Sequence, residues 1–498
     1  MLFRTSTQVL LFSLLGIAFL LRWICSQGEF WLDEIWTWDI VGSVSGPFGV
    51  FYQLQDENNH YLNSLVVRCL KEGWWGGETW WGWYRLPAVI CGTAAVGVAW
   101  SLGRSPQSRG DTAGWLAAGL TATSYLLVHY SSEARGYSYA VFFAALAFHE
   151  LQLVLEYKCR SLVDGSLAVP TRRTRAAVWL FPLACCGGFL SQSIFLTCFG
   201  ALALWAALRL KRKVSPEQVL PLLVSMFFPP GLFFVLLYVL DLRHAANGGG
   251  NVFPLWQVLI ETLSLTGGGP FSGWVAIVVA GLVLGGFIQG LWVQAQSNDD
   301  RWIFHLLVVV VMPLGLLIVL RRAEVYPRYF IVAVFFLIQA AARGLSDLLQ
   351  RGRVPWVLAT VTIAAVMWGN GRHVQRLVSL GRGSYLPVLR LMLKDEHSET
   401  VLVRGDQDFR HALMFKYWLR LTDSPGKRIQ YVNLDQIPDT GVPWLITHSL
   451  DVQWRPTQTR TVKGIEYKLQ LFRPYAGLSG WGLALYRRNE KGAVTALE

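Results

Sequence analysis

The chain has 498 residues, of which 53% are hydrophobic and only 15% are charged. An ordinary soluble domain carries about 25% charged residues, so this composition excludes a soluble globular protein, and its apolar content excludes a disordered chain. The 44 Lys and Arg residues exceed the 32 Asp and Glu residues by 12. Because these basic residues are spread over short loops between apolar runs, they indicate a membrane protein and not a nucleic-acid-binding protein.

Apolar runs of about 20 residues, long enough to cross a hydrocarbon layer roughly 30 Å thick, recur along the chain. They predict about eleven transmembrane helices, at 5–25, 85–103, 113–130, 137–157, 176–192, 194–208, 217–240, 273–293, 302–320, 329–346 and 354–370. We therefore expect a mainly α, polytopic membrane domain over residues 1–370.

The loops on the two sides of these helices differ in their content of Lys and Arg. With the N-terminus inside, the inner loops carry most of the basic residues, as in the stretches 158–175, 209–213 and 351–353. Since cytoplasmic loops are enriched in Lys and Arg, the long loop 26–84 and the C-terminal tail are predicted to be extracytoplasmic.

The composition changes after residue 370. Alternating apolar runs predict strands at 400–403, 429–432, 444–447, 467–472 and 481–486, with a helix at 409–419. We expect residues 371–498 to form a small soluble α/β domain. All seven cysteines precede it, and of these Cys25 and Cys69 can face outward together, so their pairing stays open.

Two adjacent carboxylates, Asp33 and Glu34, follow the first apolar run and lie among Phe30, Trp31, Trp36 and Trp38. A carboxylate that is partly desolvated by aromatic rings becomes a stronger base, which makes this pair a candidate for general-base catalysis. The alternative is a solvated acidic turn beside an aromatic belt.

A second polar group lies later in the same loop and comprises Asp56, Glu57, Asn59 and His60. A lone histidine is more often structural than catalytic. The combination of carboxylates, carboxamides and an imidazole nevertheless suits sugar hydroxyls or a metal–phosphate. We expect the stretch 62–70 that follows to be amphipathic and to lie along the membrane surface.

Arginines mark two further outward loops. Arg135 lies in the short loop 130–137, where its planar guanidinium suits phosphate, although an arginine that snorkels to lipid headgroups is the usual explanation. Arg321, Arg322 and Arg328 depart from the sidedness of the other basic residues, which favours an anion site. Ionisable groups gathered on one face favour chemistry on a lipid-linked anionic substrate over transport through the midplane.

The order of several short motifs resembles the GT-C membrane glycosyltransferases, particularly the group of protein O-mannosyltransferases and lipid A aminoarabinose transferases. These motifs are Asp33-Glu34, Tyr-Arg-Leu-Pro-Ala at 84–88, Ser-Glu-Ala-Arg-Gly-Tyr at 132–137 and Arg328-Tyr329. The resemblance covers about residues 1–350. It departs at 59–63, where members often carry a His-Pro-Pro-Leu-Tyr-like stretch, and at Gln192-Ser193, where many carry His-Tyr.

The resemblance implies an inverting glycosyltransferase with a polyprenyl-phosphate sugar donor and an extracytoplasmic active site. In this interpretation Asp33 and Glu34 are catalytic. The donor phosphate contacts Arg135, Arg328, Arg321 and Arg322, and the substrate contacts Asp56, Glu57, Asn59, His60 and Tyr137.

The remaining expectations concern cofactors, partners and location. A divalent metal is compatible with the chemistry, and no ligands are assigned to it. The expected partners are the donor, membrane lipids and an acceptor that is a protein, lipid or glycan. The expected location is a bacterial plasma membrane. The alternatives are a transporter or flippase of lipid-linked sugars, an oligosaccharide ligase, and a noncatalytic sensor.

Overall fold

The computed structural model describes residues 2–73, 81–104, 111–163, 171–245, 252–320, 325–395, 398–406, 408–422, 427–432 and 441–489. The chain divides into two compact units. The helical unit comprises Met1–Ser26, Val41–Trp74 and Gly82–Val374, and the sheet unit comprises Gln27–Ile40, Trp75–Trp81 and Gln375–Glu498.

The α-helices of the described residues are numbered in chain order. They are α1 Leu2–Cys25, α2 Leu32–Ile40, α3 Tyr61–Lys71, α4 Trp81–Gly103, α5 Thr112–Thr123, α6 Tyr125–Ser131, α7 Tyr137–Val163, α8 Arg172–Ser191, α9 Phe195–Lys211, α10 Pro216–Leu240, α11 Leu255–Thr266, α12 Trp274–Gln296, α13 Arg301–Leu306, α14 Met312–Leu320, α15 Ile331–Leu348, α16 Arg353–Leu380, α17 Leu386–Asp395 and α18 Asp408–Leu419. Short 3-10 helices cover Pro47–Phe51, Leu242–His244 and Pro327–Phe330, and a π-helical turn, Leu307–Val311, joins α13 to α14.

Within the described part of the chain, nine helices are long and apolar enough to cross a membrane. All eleven predicted apolar runs are helical, but two fall short of that length. The run at 113–130 is split at Ser124 into α5 and α6, and the run at 194–208 forms α9, which has 17 residues. The predicted multi-pass architecture is confirmed, whereas the count of eleven is not.

The helices of this unit differ in how deeply they are buried. The span Pro327–Leu348, which contains α15, is 83% buried over its most apolar window, so α15 is a central helix of the helical unit. In contrast, α1, α10 and α16 leave large apolar side chains such as Phe12, Leu220 and Val354 exposed. Apolar side chains on the outer surface of a bundle are the arrangement that lipid requires.

The sheet unit contains a mixed sheet with six strands among its described residues. The strands are β1 Thr400–Gly405, β2 Arg428–Tyr431, β3 Trp444–Ser449, β4 Thr459–Val462, β5 Ile465–Arg473 and β6 Gly482–Arg488. Their order is β2-β1-β3-β6-β5-β4, and β1 runs parallel to both β2 and β3 while the other pairs are antiparallel. Five strands and the helix α18 match the predicted elements, and β4 is an additional strand.

The segment 27–40 belongs to the sheet unit, although the sequence suggests grouping it with the membrane domain. Its aromatic residues pack on α18, because Trp38 meets Tyr417 edge-on at 5.3 Å and Phe30 stacks on Tyr417 at 6.1 Å. Asp39 forms an ion pair with Lys416 at 2.9 Å.

The predicted boundary at residue 370 and the extracytoplasmic location of the tail stay predictions.

All seven cysteines lie among the described residues, and no disulfide joins any two of them. Cys25 and Cys69, whose pairing the sequence leaves open, are therefore not linked in this structure.

Candidate substrate site

A short loop between α6 and α7 forms the centre of the candidate site in the helical unit. The Asn63 side-chain amide donates to the Ala134 carbonyl at 2.6 Å, and the Gly136 N–H donates to His60 Nδ1 at 2.9 Å. A Cβ added to Gly136 would lie 1.9 Å from the Ser191 carbonyl oxygen, so glycine is required for this close approach to α8. The loop is thus fixed by side chains at the start of α3 and by the end of α8.

Arg135 lies in this loop, immediately before the N-terminus of α7, and is 3% exposed. Its guanidinium donates to Asn58 Oδ1 and, at 3.4 Å, to the Tyr137 hydroxyl, and it lies 5.5 Å from the centre of the Tyr137 ring. A helix N-terminus adds partial positive charge at the same place. The position therefore favours an anion.

Arg328 approaches the same group of residues from another element. It lies in the 3-10 helix Pro327–Phe330, which leads into α15, and its guanidinium stacks on Tyr326 at 4.6 Å and on Tyr329 at 5.8 Å. Stacking on two rings restricts a side chain that otherwise has many rotamers. Both Arg135 and Arg328 interact electrostatically with His60.

His60 is buried, and its pKa lies well below the ordinary value for histidine. The main cause is burial, and the positive charges of Arg135 and Arg328 act in the same direction, whereas Glu133 opposes them. The imidazole is therefore neutral at physiological pH. Because Nδ1 accepts from Gly136, the ring proton lies on Nε2.

Gln192 faces that Nε2 atom at 2.9 Å. The atom that faces Nε2 is the Gln192 side-chain nitrogen, and the Gln192 side-chain oxygen accepts from the Ser193 N–H at 2.6 Å. The two places where the chain departs from the family pattern, around His60 and at Gln192, are therefore in contact in this fold. A change at one of them changes the hydrogen-bond partner of the other.

Three residues of this region were missed by the sequence reasoning. Glu133 is fully buried and lies 3.0 Å from His129 Nε2, and Tyr130 interacts electrostatically with Glu133, Arg328 and Glu261. Burial raises the pKa of Glu261, on α11, to about 7. The sequence contained a signal for both glutamates. Glu261 is the one charged residue between 252 and 296, and Glu133 lies inside the Ser-Glu-Ala-Arg-Gly-Tyr motif.

The other polar residues of the first loop shape its backbone. The Asp56 carboxylate accepts the Asn58 N–H at 2.7 Å, and the Asn59 amide donates to the Val50 carbonyl at 2.7 Å. Glu57 is exposed. The structure thus brings His60, Arg135, Tyr137 and Arg328 together, and Asp56 and Asn59 make hydrogen bonds inside their own loop.

Asp33 and Glu34 lie in the sheet unit, in the first turn of α2. The buried Glu34 carboxylate accepts the Trp31 N–H at 3.2 Å, which is one half of a capping box. Asp33 is half-buried at the second helical position, where the helix N-terminus favours its negative charge. Glu34 therefore holds the helix that presents Asp33.

Arg321 and Arg322 lie outside the described residues. Within the described ranges, one cluster of three or more side chains has the spacing of metal ligands, and it contains none of the predicted site residues. No metal ligand is assigned to the candidate substrate site.

The fold defines the class of protein: a multi-pass membrane protein with the GT-C fold and a small C-terminal sheet domain. The structure is similar to the archaeal oligosaccharyltransferase AglB from Archaeoglobus fulgidus, solved in complex with an inhibitory peptide and a dolichol-phosphate. That match has a TM-score of 0.52 and 13% identity and covers 89% of this chain and 70% of that chain.

It is also similar to ArnT from Cupriavidus metallidurans in the apo state, with a TM-score of 0.52 and 11% identity, over 89% of this chain and 93% of that chain. These matches confirm the predicted GT-C fold class. No protein-family model and no curated protein sequence matches the chain.

Proposed function

We propose that the chain is an inverting glycosyltransferase that moves a sugar from a polyprenyl-phosphate-linked donor to an acceptor. The proposed membrane is the plasma membrane of a bacterium, and the reaction takes place on its extracytoplasmic face. The observation that carries the proposal is the arginine group, in which the half-buried Arg328 lies with the buried His60, Arg135 and Tyr137. Both arginines act electrostatically on the neutral His60.

The arginines suit the leaving group of this reaction. Lipid phosphate is weakly basic, so its departure requires charge stabilisation more than protonation. Arg135 and Arg328 are always charged, and each presents a planar set of donors that matches phosphate oxygens. Arg321 and Arg322 are proposed as further contacts. The neighbour AglB was solved with a dolichol-phosphate, which supports a lipid phosphate as the carrier.

The proposed base is Asp33. An acceptor hydroxyl or amine attacks C1 of the sugar from the side opposite the phosphate, and its proton passes to the Asp33 carboxylate as the C1–O bond to phosphate breaks. This displacement inverts the anomeric carbon. Glu34 acts as a positioning residue through its bond to the Trp31 N–H.

The remaining contacts are assigned to the sugar and phosphate. His60 and Tyr137 contact them directly, since both belong to the arginine group. Asp56, Glu57 and Asn59 are proposed for the sugar hydroxyls. The neutral His60 adds no positive charge to the group, and its Nε2–H is the donor that we assign to the substrate.

The proposal is tested with the purified full-length protein in liposomes. Several polyprenyl-phosphate sugars are supplied with hydroxyl and amine acceptors, and the release of polyprenyl phosphate is followed. We expect one donor to be consumed, with a product of inverted anomeric configuration. If no donor is consumed, or if the product retains the anomeric configuration of the donor, the proposal is contradicted.

An oligosaccharide ligase is the second candidate, because the match to the oligosaccharyltransferase AglB equals the match to ArnT in TM-score. The same assay separates the two: a ligase consumes an oligosaccharide on a lipid pyrophosphate and leaves monosaccharide phosphates intact. A flippase moves the intact lipid across the bilayer and consumes neither donor.

A further inference from the structure

Three side chains of metal-ligand type meet at one edge of the sheet unit. Asp406 directly follows β1, His411 lies in the first turn of α18, and His448 lies near the end of β3. Because β1 and β3 are parallel neighbours, with Gly405 paired to Ile446, their carboxyl ends adjoin. In α/β sheets this edge is where ligand sites form.

The spacing of the three groups suits one small cation. Asp406 Oδ1 lies 2.6 Å from His448 Nδ1 and 3.5 Å from His411 Nε2, and the three ligand atoms all lie within 4.8 Å of one another. Bonds of 2.0–2.2 Å to a tetrahedral ion place its ligand atoms about 3.3–3.6 Å apart. The group therefore needs only small side-chain shifts to share an ion.

The backbone makes room for this approach at Gly405. A Cβ added there would lie 2.1 Å from His411 Nε2, so any other residue at this position would push the imidazole away. His411 is fully buried, and its ring stacks on His448 at 4.5 Å and on Tyr431 at 5.4 Å. These contacts fix the ring before any ion binds.

A second layer of hydrogen bonds holds His448. The Tyr385 hydroxyl lies 2.5 Å from His448 Nε2, and the Trp481 indole N–H donates to the Tyr385 oxygen at 3.4 Å. Metal-bound histidines usually have such a partner on the ring nitrogen that does not bind the metal. The Tyr385 hydroxyl fills that position.

We propose that Asp406, His411 and His448 bind a divalent transition-metal ion, with Zn²⁺ as the best match to the ligand set. Two imidazoles and one carboxylate favour such an ion over Mg²⁺ or Ca²⁺, which take oxygen ligands. The histidines are buried, whereas the Asp406 side chain is 34% exposed, so the fourth position opens toward water.

Binding moves one proton inside the site. In the metal-free protein the His448 Nδ1 proton faces Asp406, and Tyr385 donates to Nε2. When the ion occupies Nδ1, the ring proton lies on Nε2 and the ring donates to Tyr385. The site is independent of the proposed glycosyltransferase function.

The test uses tag-free, full-length protein that has been stripped of metal by a chelator and then titrated with Co²⁺ and Zn²⁺. We expect one Co²⁺ per chain with the intense visible bands of tetrahedral coordination, displaced by Zn²⁺. Asp406→Asn and His448→Gln each lose this ion. His244→Gln, which alters an exposed histidine of the helical unit, keeps it. A wild-type protein without these bands, or variants that keep them, overturns the proposal.

X-ray absorption on the Zn²⁺-loaded wild-type protein gives the ligands without any substitution. The site predicts two imidazole nitrogens and oxygen ligands, whereas sulfur ligands from the cysteines or an all-oxygen shell contradict it. Tyr385→Phe removes the outer hydroxyl and should weaken Zn²⁺ binding about 10–100-fold while keeping one ion per chain. Unchanged affinity in this variant excludes Tyr385 as the supporting group.

Discussion

At the scale of single residues, the burial of Arg135 disagrees with one of the two explanations for a basic residue at a membrane boundary, that its side chain snorkels to the headgroups. A snorkelling arginine extends its guanidinium into the headgroup region. Arg135 is instead 3% exposed and donates to Asn58 and Tyr137. This environment favours an anion-binding role. The sequence places Arg135 on the outward side, which suggests such a role but does not distinguish it from snorkelling.

Replacing the proposed base gives the first prediction. Asp33→Asn keeps the size of the side chain but cannot accept a proton, so turnover should fall about 10²–10⁴-fold. Binding of the donor should change little. The matched control is Asp39→Asn on the same helix. The Asp39 carboxylate pairs with Lys416, and the variant is expected to keep turnover near the wild-type rate. Full turnover by Asp33→Asn removes Asp33 as the base.

The low pKa of His60 predicts a dependence of stability on pH. The folded protein keeps His60 neutral, whereas the unfolded chain binds a proton below about pH 6.5, so stability falls as the pH drops below that value. One pH unit below, the loss from this group is about 1.4 kcal/mol. The groups that interact with His60 electrostatically are Arg135, Arg328 and Glu133.

The measurement compares unfolding of wild type and His60→Gln in detergent at pH 8 and pH 5.5. Glutamine can still accept from the Gly136 N–H but does not titrate, so the variant should lose less stability between the two pH values. Equal losses in both proteins mean that the folded protein does not hold His60 neutral.

At the scale of elements, the N-terminal cap of α2 gives a prediction about Glu34. Glu34→Ala removes the bond to the Trp31 N–H and should cost about 1 kcal/mol of local stability, which corresponds to about fivefold faster hydrogen exchange in residues 32–40. Glu34→Gln keeps an acceptor oxygen and should exchange nearly as the wild type does. If Glu34→Gln loses turnover while its exchange is normal, Glu34 takes part in the chemistry itself.

The contact between the loop that precedes α7 and the end of α8 gives another prediction. Gly136→Ala places a Cβ 1.9 Å from the Ser191 carbonyl and should destabilise the protein by about 1–3 kcal/mol or more, with loss of donor binding. Gly119→Ala on α5 is the matched control, since nothing lies within 4 Å of its added Cβ. Thermal unfolding measures both. Equal melting temperatures for the two variants contradict the close packing.

Elements could be predicted from the sequence where one physical signal was strong. Among the described residues, long apolar runs identified all nine helices that are long and apolar enough to cross a membrane, and alternation identified five strands. The strand β4 was missed because its sequence, Thr-Arg-Thr-Val, is mostly polar. The helix α11 was missed because its 12 residues are too short to read as a span. The break at Ser124 depends on the Tyr125 N–H, which donates to the distant Asn370 at 2.6 Å.

At the scale of the whole molecule, the fold class could be predicted from the composition and the order of the motifs. The assignment of residues to the two units could not. The segment 27–40 joins the sheet unit through contacts with residues about 380 positions away, such as Asp39 with Lys416. The candidate site likewise depends on distant partners, because His60 meets Gln192 across 132 positions. Periodicity within one segment carries no information about such pairs.

The most direct test of the central claim, that the arginine group holds a lipid phosphate, is the binding of polyprenyl phosphate measured by native mass spectrometry. Arg135→Ala and Arg328→Ala should each weaken binding about 10–100-fold, as expected for a lost charged hydrogen bond. The exposed Arg243→Ala should bind as the wild type does. Arg135→Lys, which keeps the charge but loses the planar guanidinium, should be intermediate. Wild-type affinity in both Arg135→Ala and Arg328→Ala, with normal folding, would contradict the claim.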